Sequence, residues 1–383
     1  MNIEDIVNSI DFPKALHKKK SDFYNNVARE IIVYISNNDS ATLVELIEYT
    51  CGSRKKMLLI LDYLVSCSIL KYEHGSFSIP HSSPVKIRGK DALCPHCKGK
   101  VVTIDGEFTN IKKRMMDIFA KKPIPTLLFN QRPVTIETTV RRAAYMIWRG
   151  DIQGKDIAII GDDDLTSIAI ALAGVAKRIV VFEIDRRLIN YISDVSSRYN
   201  LNIEVVEQDI TAPLNNIYLN SFDIFMTDPS PEVIPFKVFT NFGIKLLKKG
   251  QMRIGYLSMY SSTMLKNIGI QKALTEMELI ITDIIPFFTQ YESIKETFSR
   301  TEIELANKYS DSTYGISFHE HLVRVETTND TTDINIQFTE DDFLGSATKR
   351  ILSDPQNDPA IASGEGNNKE YLCNVADKLL KSR

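Results

Sequence analysis

Cysteine is scarce in this chain of 383 residues: there are five, Cys51, Cys67, Cys94, Cys97 and Cys373. So sparse and odd a set argues against a secreted, disulfide-stapled scaffold. Long apolar runs are missing too, and none approaches the roughly 20 residues a bilayer-spanning helix needs. Neither sign of charge dominates, with 46 basic and 49 acidic residues. The total therefore does not suggest nucleic-acid binding, although a total can hide a local patch. Met1-Asn-Ile-Glu-Asp5 is acidic and unlike a signal segment. A soluble cytoplasmic protein is the expectation. The hydrophobic fraction of 43% supports a sizeable core, and the length suits about two or three domains.

Residues 1–90 read as a small winged-helix-like domain. Helical spacing runs over Phe23–Tyr34 and Leu43–Tyr49. A third helix spans Ser53–Leu64, with Ser53 as N-cap. Ile69–Tyr72, a His74-Gly75 turn and Phe77–Ile79 then suggest a hairpin. The basic clusters Lys18-Lys-Lys20 and Arg54-Lys-Lys56 suit either DNA contact or a solvated face, and the solvated face is the favoured reading. His81–Asp91 is a Ser- and Pro-rich linker. Residues 91–150 form a connector that begins with Cys94-Pro-His-Cys97, half of a zinc ribbon whose other half is missing. Cys94 and Cys97 are therefore weak metal candidates. The connector ends with an amphipathic helix, Thr138–Trp148, whose Arg141 and Arg142 could reach an anion or an acidic loop.

From residue 151 to about 326 apolar strands alternate with helices, which means a doubly wound α/β sheet. Such sheets bind ligands beyond the carboxyl ends of their strands. Acidic residues fall in order at those ends. Gly161-Asp-Asp-Asp164 follows the first strand, Glu183 and Asp185 the second, Asp209 the third, and Asp228 closes the fourth. Nucleotide loops normally rely on glycine because backbone must approach the ligand closely. Here only Gly161 remains, and three adjacent carboxylates favour a cation over a phosphate. In an adenosine-binding sheet, an acid after strand two accepts the ribose hydroxyls, one after strand three takes the adenine amine, and one after strand four sits at the chemistry. The tail, 327–383, is polar and broken by Asp354-Pro and Asp358-Pro. It reads as mobile, with a terminal helix over Lys369–Leu380.

The sequence resembles the branched-chain polyamine synthases, the N4-bis(aminopropyl)spermidine synthase family. The resemblance rests on Val140-Arg-Arg-Ala, Arg149-Gly-Asp151, Gly161-Asp-Asp-Asp-Leu-Thr-Ser-Ile-Ala169, Arg178-Ile-Val-Val-Phe-Glu-Ile-Asp185, Phe222-Asp-Ile-Phe-Met-Thr-Asp-Pro229 and Thr282-Asp-Ile-Ile285. It covers roughly residues 1–326. It implies a Rossmann-like catalytic domain behind a winged-helix-like one. The implied activity is transfer of aminopropyl groups from decarboxylated S-adenosylmethionine, a co-substrate, to N4 of spermidine, with release of 5'-methylthioadenosine. No prosthetic group is implied. Carried over, Asp163 is the leading base and Asp228 the competing one. Asp162 and Asp164 would orient amines, Glu183 or Asp185 would hold the donor ribose, and Asp209 the adenine. The second transfer creates a permanent cation, which makes the aromatic residues Tyr256, Phe287, Phe288 and Tyr291 candidates beside it. The family commonly shows Asp-Pro-Pro followed by acids after strand four. Asp228-Pro-Ser-Pro-Glu232 departs from that, and the shifted Glu232 bears on acceptor choice.

Two other readings stay open. One is a methyltransferase using intact S-adenosylmethionine, against which the acidic loop speaks. The other is a winged-helix regulator sensing polyamine. A homodimer is expected; a membrane or nucleic-acid partner is not.

Overall fold

The computed structural model describes residues 21–50, 54–80, 94, 96–259, 264–294, 298, 300–309, 315–344, 346–363 and 366–381. Lys18–Lys20, Cys51, the N-cap Ser53 and the linker His81–Asp91 lie outside them. The chain forms two compact units. One comprises Met1–Gly99, Ser261–Met264 and Gln290–Glu320; the other comprises Lys100–Tyr260, Leu265–Thr289 and His321–Arg383.

In the first unit, helix α1 (Ser21–Asn38) buries Val27, Ala28, Ile31, Ile32 and Ile35, one stripe at helical spacing. After β1 (Ser40–Ala41), helix α2 (Leu43–Tyr49) opens on a capping box between Thr42 and Glu45. Helix α3 (Arg54–Ser66) buries Met57, Leu58, Ile60, Leu61 and Leu64. The hairpin β2 (Lys71–Glu73) and β3 (Ser76–Ser78) follows, and β1 joins it to make a sheet of order β1-β3-β2. Three helices and a wing are thus present. Arg54 is neither solvated nor placed for DNA: it is buried and donates to Glu302 at 3.3 Å. Residues 290–320, read from the sequence as part of the catalytic domain, add Ala306 and Tyr309 to this core.

The second unit begins with α4 (Glu107–Phe119), a 3-10 turn (Leu127–Phe129) and α5 (Ile136–Trp148). Then β4 (Asp156–Ile160), α6 (Thr166–Ala173), β5 (Arg178–Glu183), α7 (Arg186–Tyr199) and β6 (Ile203–Glu207) alternate. β7 (Ile224–Thr227), α8 (Val233–Leu246), β8 (Ile254–Met259) and α9 (Met264–Glu276) continue the pattern. Strand β9 (Leu279–Glu292), helix α10 (Arg300–Lys308) and strand β10 (Ile316–Thr327) come next in the chain. The sheet has order β6-β5-β4-β7-β8-β10-β9. β4 to β8 pair in parallel, and β10 runs antiparallel to β8. β4 and β7 are buried along their whole length, as expected of central strands covered on both faces. The order reverses between β4 and β7, so the carboxyl ends of β4, β5 and β7 meet at a switch point. Gly243 on α8 is needed for closeness, since a Cβ there would lie 2.5 Å from the Phe225 ring.

The tail has the expected terminal helix but otherwise departs from expectation. It forms α11 (Ser346–Ser353), α12 (Pro359–Ala362) and α13 (Gly366–Lys381), and it buries Ile351, Leu352, Ile361, Leu372 and Ala376. Asp358-Pro359, taken as a chain breaker, starts a helix instead: Asp358 caps it and Pro occupies the first turn, where no N–H is needed.

Candidate functional site

Gly161 leaves β4 at φ +70° and donates its N–H to the Phe182 carbonyl at 2.9 Å. Space is not the reason for glycine here, because a Cβ would meet only Phe239 at 3.9 Å; the left-handed backbone is. The next three residues separate in role. Asp162 is 1% exposed, and its Oδ1 accepts from Thr166 N at 2.7 Å and Ser167 N at 3.3 Å. Its Oδ2 also accepts from the Ser167 hydroxyl. Asp162 therefore caps α6, correcting the expectation that it orients amines. Burial pushes its pKa up to about 7.

Asp164 is also buried, at 3% exposure. Its Oδ2 accepts from Arg142 Nη1 at 2.5 Å, and its carbonyl from the Thr139 hydroxyl at 2.9 Å. It too is buried and engaged by protein groups, which corrects the expectation that it orients amines. Burial holds its pKa well above the carboxylate range, with Arg142 opposing and Asp163 and Asp228 adding to the rise. Its Oδ1 meets no donor among the described residues.

Asp163 alone of the three is partly exposed. Its pKa is pushed up to about 7, first by burial; Lys122 opposes, and the carboxylates of Glu183, Asp228 and Asp162 reinforce it. Lys122 Nζ donates to the Asp163 carbonyl at 2.6 Å. Asp228, at the end of β7, is 12% exposed and accepts from Arg142 Nη2 at 2.5 Å.

Arg142 is the residue that sequence reasoning only half found. In the middle of α5, which runs from Ile136 to Trp148, it is out of reach of the helix-end dipole. Its partners are tertiary: Asp164, Asp228, and the hydroxyls of Ser258 at 3.1 Å and Thr289 at 3.3 Å. The sequence clue was an arginine on the otherwise buried side of α5.

Glu183 ends β5 and is 6% exposed. It accepts from Asp162 N at 2.9 Å, Ile184 N at 2.8 Å and Asp185 N at 2.9 Å. That fills three of about four acceptor positions on a carboxylate, leaving capacity for one hydroxyl. Burial, with Asp185 adding to it, pushes its pKa up to about 7. Asp185 is fully buried, and this corrects its candidacy for the ribose. It caps α7 through Arg187 N at 3.0 Å, pairs with the Arg187 guanidinium at 2.6 Å and accepts from Gln131 at 2.9 Å. Asp209 is exposed beyond β6, in a turn where its Oδ1 accepts from Thr211 N at 2.9 Å. Glu232 is exposed at the start of α8, where its side chain makes no capping bond.

Tyr256 and Phe288 are 0% exposed in the hydrophobic core, and Tyr256 donates to Asp151. Phe287, at φ +54°, packs edge-on to His321. Tyr291 belongs to the first unit, stacked on Phe318 at 4.4 Å. Cys97 is buried and Cys94 exposed, also in the first unit. Backbone N–H groups of Cys97 and His96 draw the Cys94 thiol below its usual range. No group of three or more metal-ligating side chains occurs among the described residues, and none of their helices is long and apolar enough to cross a membrane.

The profile of the branched-chain polyamine synthase A C-terminal domain matches residues 110–348. This chain belongs to that family. The N(4)-bis(aminopropyl)spermidine synthase of Methanocaldococcus jannaschii is 37% identical over 252 residues, 64% of this chain and 70% of that protein. The Thermococcus kodakarensis enzyme of the same name is 40% identical over 205 residues, 52% of this chain and 58% of its own length. The fold matches the crystal structure of the branched-chain polyamine synthase from Thermus thermophilus in complex with N4-aminopropylspermidine and 5'-methylthioadenosine. The TM-score is 0.64 at 20% identity, over 89% of this chain and 99% of that one. A C9 mutein of that synthase with the same two molecules gives 0.65 at 21% identity, over 91% and 99%.

Proposed function

We propose that this protein is an aminopropyltransferase that moves aminopropyl groups from decarboxylated S-adenosylmethionine to N4 of spermidine and releases 5'-methylthioadenosine. The second unit is read as a Rossmann-like domain, with the donor beyond the carboxyl ends of β4, β5 and β6. Glu183 has acceptor capacity for a ribose hydroxyl, and Asp209 is assigned to the adenine amine.

The observation that carries the reading is the partly exposed Asp163, ringed by acidic groups at a strand end. A donor without its carboxylate ends in an ammonium, and the acceptor is a polycation, so both suit this environment. The reaction is a displacement at the carbon beside the sulfonium. The N–C bond forms as the C–S bond breaks, and the electron pair goes to sulfur. Asp163, with its pKa near neutrality, takes the proton the nitrogen sheds. Asp228 is held against Arg142 and contributes charge rather than proton transfer. In a second transfer the nitrogen is already tertiary and loses no proton, so the same carboxylates would stabilise the cation that forms.

The test is incubation with spermidine and either the intact or the decarboxylated donor, followed by mass analysis. Aminopropyl additions are expected with the decarboxylated donor alone. Methyl addition from the intact donor would replace this function with the methyltransferase one.

A further inference from the structure

The segment 122–131 runs past three of the strand-end loops. Lys122 donates to the Asp163 carbonyl at 2.6 Å, and Asn130 to the hydroxyl of Ser230, two residues past Asp228, at 2.9 Å. Gln131 donates to Asp185 at 2.9 Å, while the Ile124 carbonyl accepts from Arg187 at 2.9 Å. Whatever fixes this segment fixes the mutual spacing of those loops.

What fixes it comes from the C-terminal segment. Asp358 is 0% exposed. Its Oδ2 accepts from Leu127 N at 2.7 Å and from the Thr126 hydroxyl at 2.9 Å. Its Oδ1 accepts from Ala360 N at 3.0 Å and Ile361 N at 3.3 Å, capping α12. Thr348, also 0% exposed, donates to the Leu127 carbonyl at 2.8 Å. One buried carboxylate thus ties the tail's helices to the loop-spanning segment. A buried acceptor with several N–H and O–H donors is costly to remove, since each donor left behind stays dry. Asp358 lies beyond the part of the chain matched by the family profile, which ends at 348.

We propose that Asp358 is a positioning residue for the transfer reaction: it clamps segment 122–131, which in turn holds the backbone of Asp163. The proposal rests on Asp163 being the proton acceptor. A shift of about 1 Å in such a group costs up to on the order of 10²-fold in rate without weakening binding to the same extent.

The test combines hydrogen–deuterium exchange with steady-state kinetics on the full chain. Asp358→Ala is expected to speed exchange across 121–132 while strand 178–183 is unchanged. It should also lower kcat about tenfold or more, with KM for both substrates within about threefold. Asp358→Asn, which keeps one acceptor oxygen, should fall between. Unchanged exchange, an unchanged kcat, or a loss confined to KM overturns the proposal. Should Asp358→Ala not fold, Thr348→Val removes one hydroxyl from the same contact and must show the same pattern at smaller size; wild-type behaviour there overturns it equally. Asp163→Asn is assayed in parallel. If it keeps full turnover, the base assignment is wrong, while the exchange result still decides whether the clamp exists.

Discussion

Two acidic centres flank helix α5, and they are equipped differently. Past its C-terminal end, Asp151 is 8% exposed and receives Arg324 through both oxygens, at 2.8 and 3.1 Å, together with the Tyr256 hydroxyl. Arg324 also donates to Thr282 at 2.7 Å and Glu326 at 2.5 Å. On the middle of the helix, Arg142 is divided between Asp164 and Asp228, and three further carboxylates crowd the same strand ends. The first centre is a well-supplied structural joint. The second carries more negative charge than its donors neutralise. Burial is the first cause of the pKa values near 7 for Asp162, Asp163 and Glu183, and neighbouring carboxylates add to it. The difference teaches that neighbouring carboxylates left short of cations, added to burial, separate a site that attracts cations from a strut.

The contrast can be broken at either end. Asp163→Asn is expected to lower kcat by about 10²–10⁴-fold, the usual worth of a positioned proton acceptor, without loss of folded protein by circular dichroism. A variant with kcat within threefold of wild type would move the base to Asp228. Asp151→Asn should do the reverse, lowering unfolding free energy in urea by about 3 kcal/mol because Arg324 loses its ionised partner in a buried setting. Turnover of the folded fraction should stay within about twofold, and a larger loss would mean that the two centres are not separate. The smallest effect concerns pH. Asp163 has a folded pKa raised from 3.8 to about 7, so the folded state binds the extra proton between those values. The stability this gives is present below the lower value and is lost as pH rises through the upper one. Asp163→Asn should therefore melt like wild type near pH 4 and somewhat higher at pH 8, by on the order of 1 kcal/mol. Wild-type kcat/KM should also contain a rise through pH 7 that the variant lacks.

The alternation of strands and helices and the acidic residue at each strand end were legible because burial imposes periodicity and strands end where apolar runs end. Which of the three consecutive aspartates faces outward was not, since a tight turn rotates each successive side chain by an amount set by backbone angles such as Leu165 at φ +55°. Asp185 misled for a related reason: an acid directly before a helix serves a ribose or a helix cap equally well on paper. The carboxylate partners of Arg142 are 22 and 86 residues away in sequence, beyond any local pattern. The tail was misjudged because Asp358-Pro359 was weighed as an interruption when the same pair, followed by apolar residues, is a helix start.

Leu165 sits at the N-cap position of α6 with no oxygen of its own, and Asp162 supplies the acceptor from three residues upstream. Loop and helix are therefore one unit of inheritance. Exchanging the acidic turn for a glycine-rich one would strip α6 of its only side-chain acceptor among the described contacts, at a cost of about 1 kcal/mol.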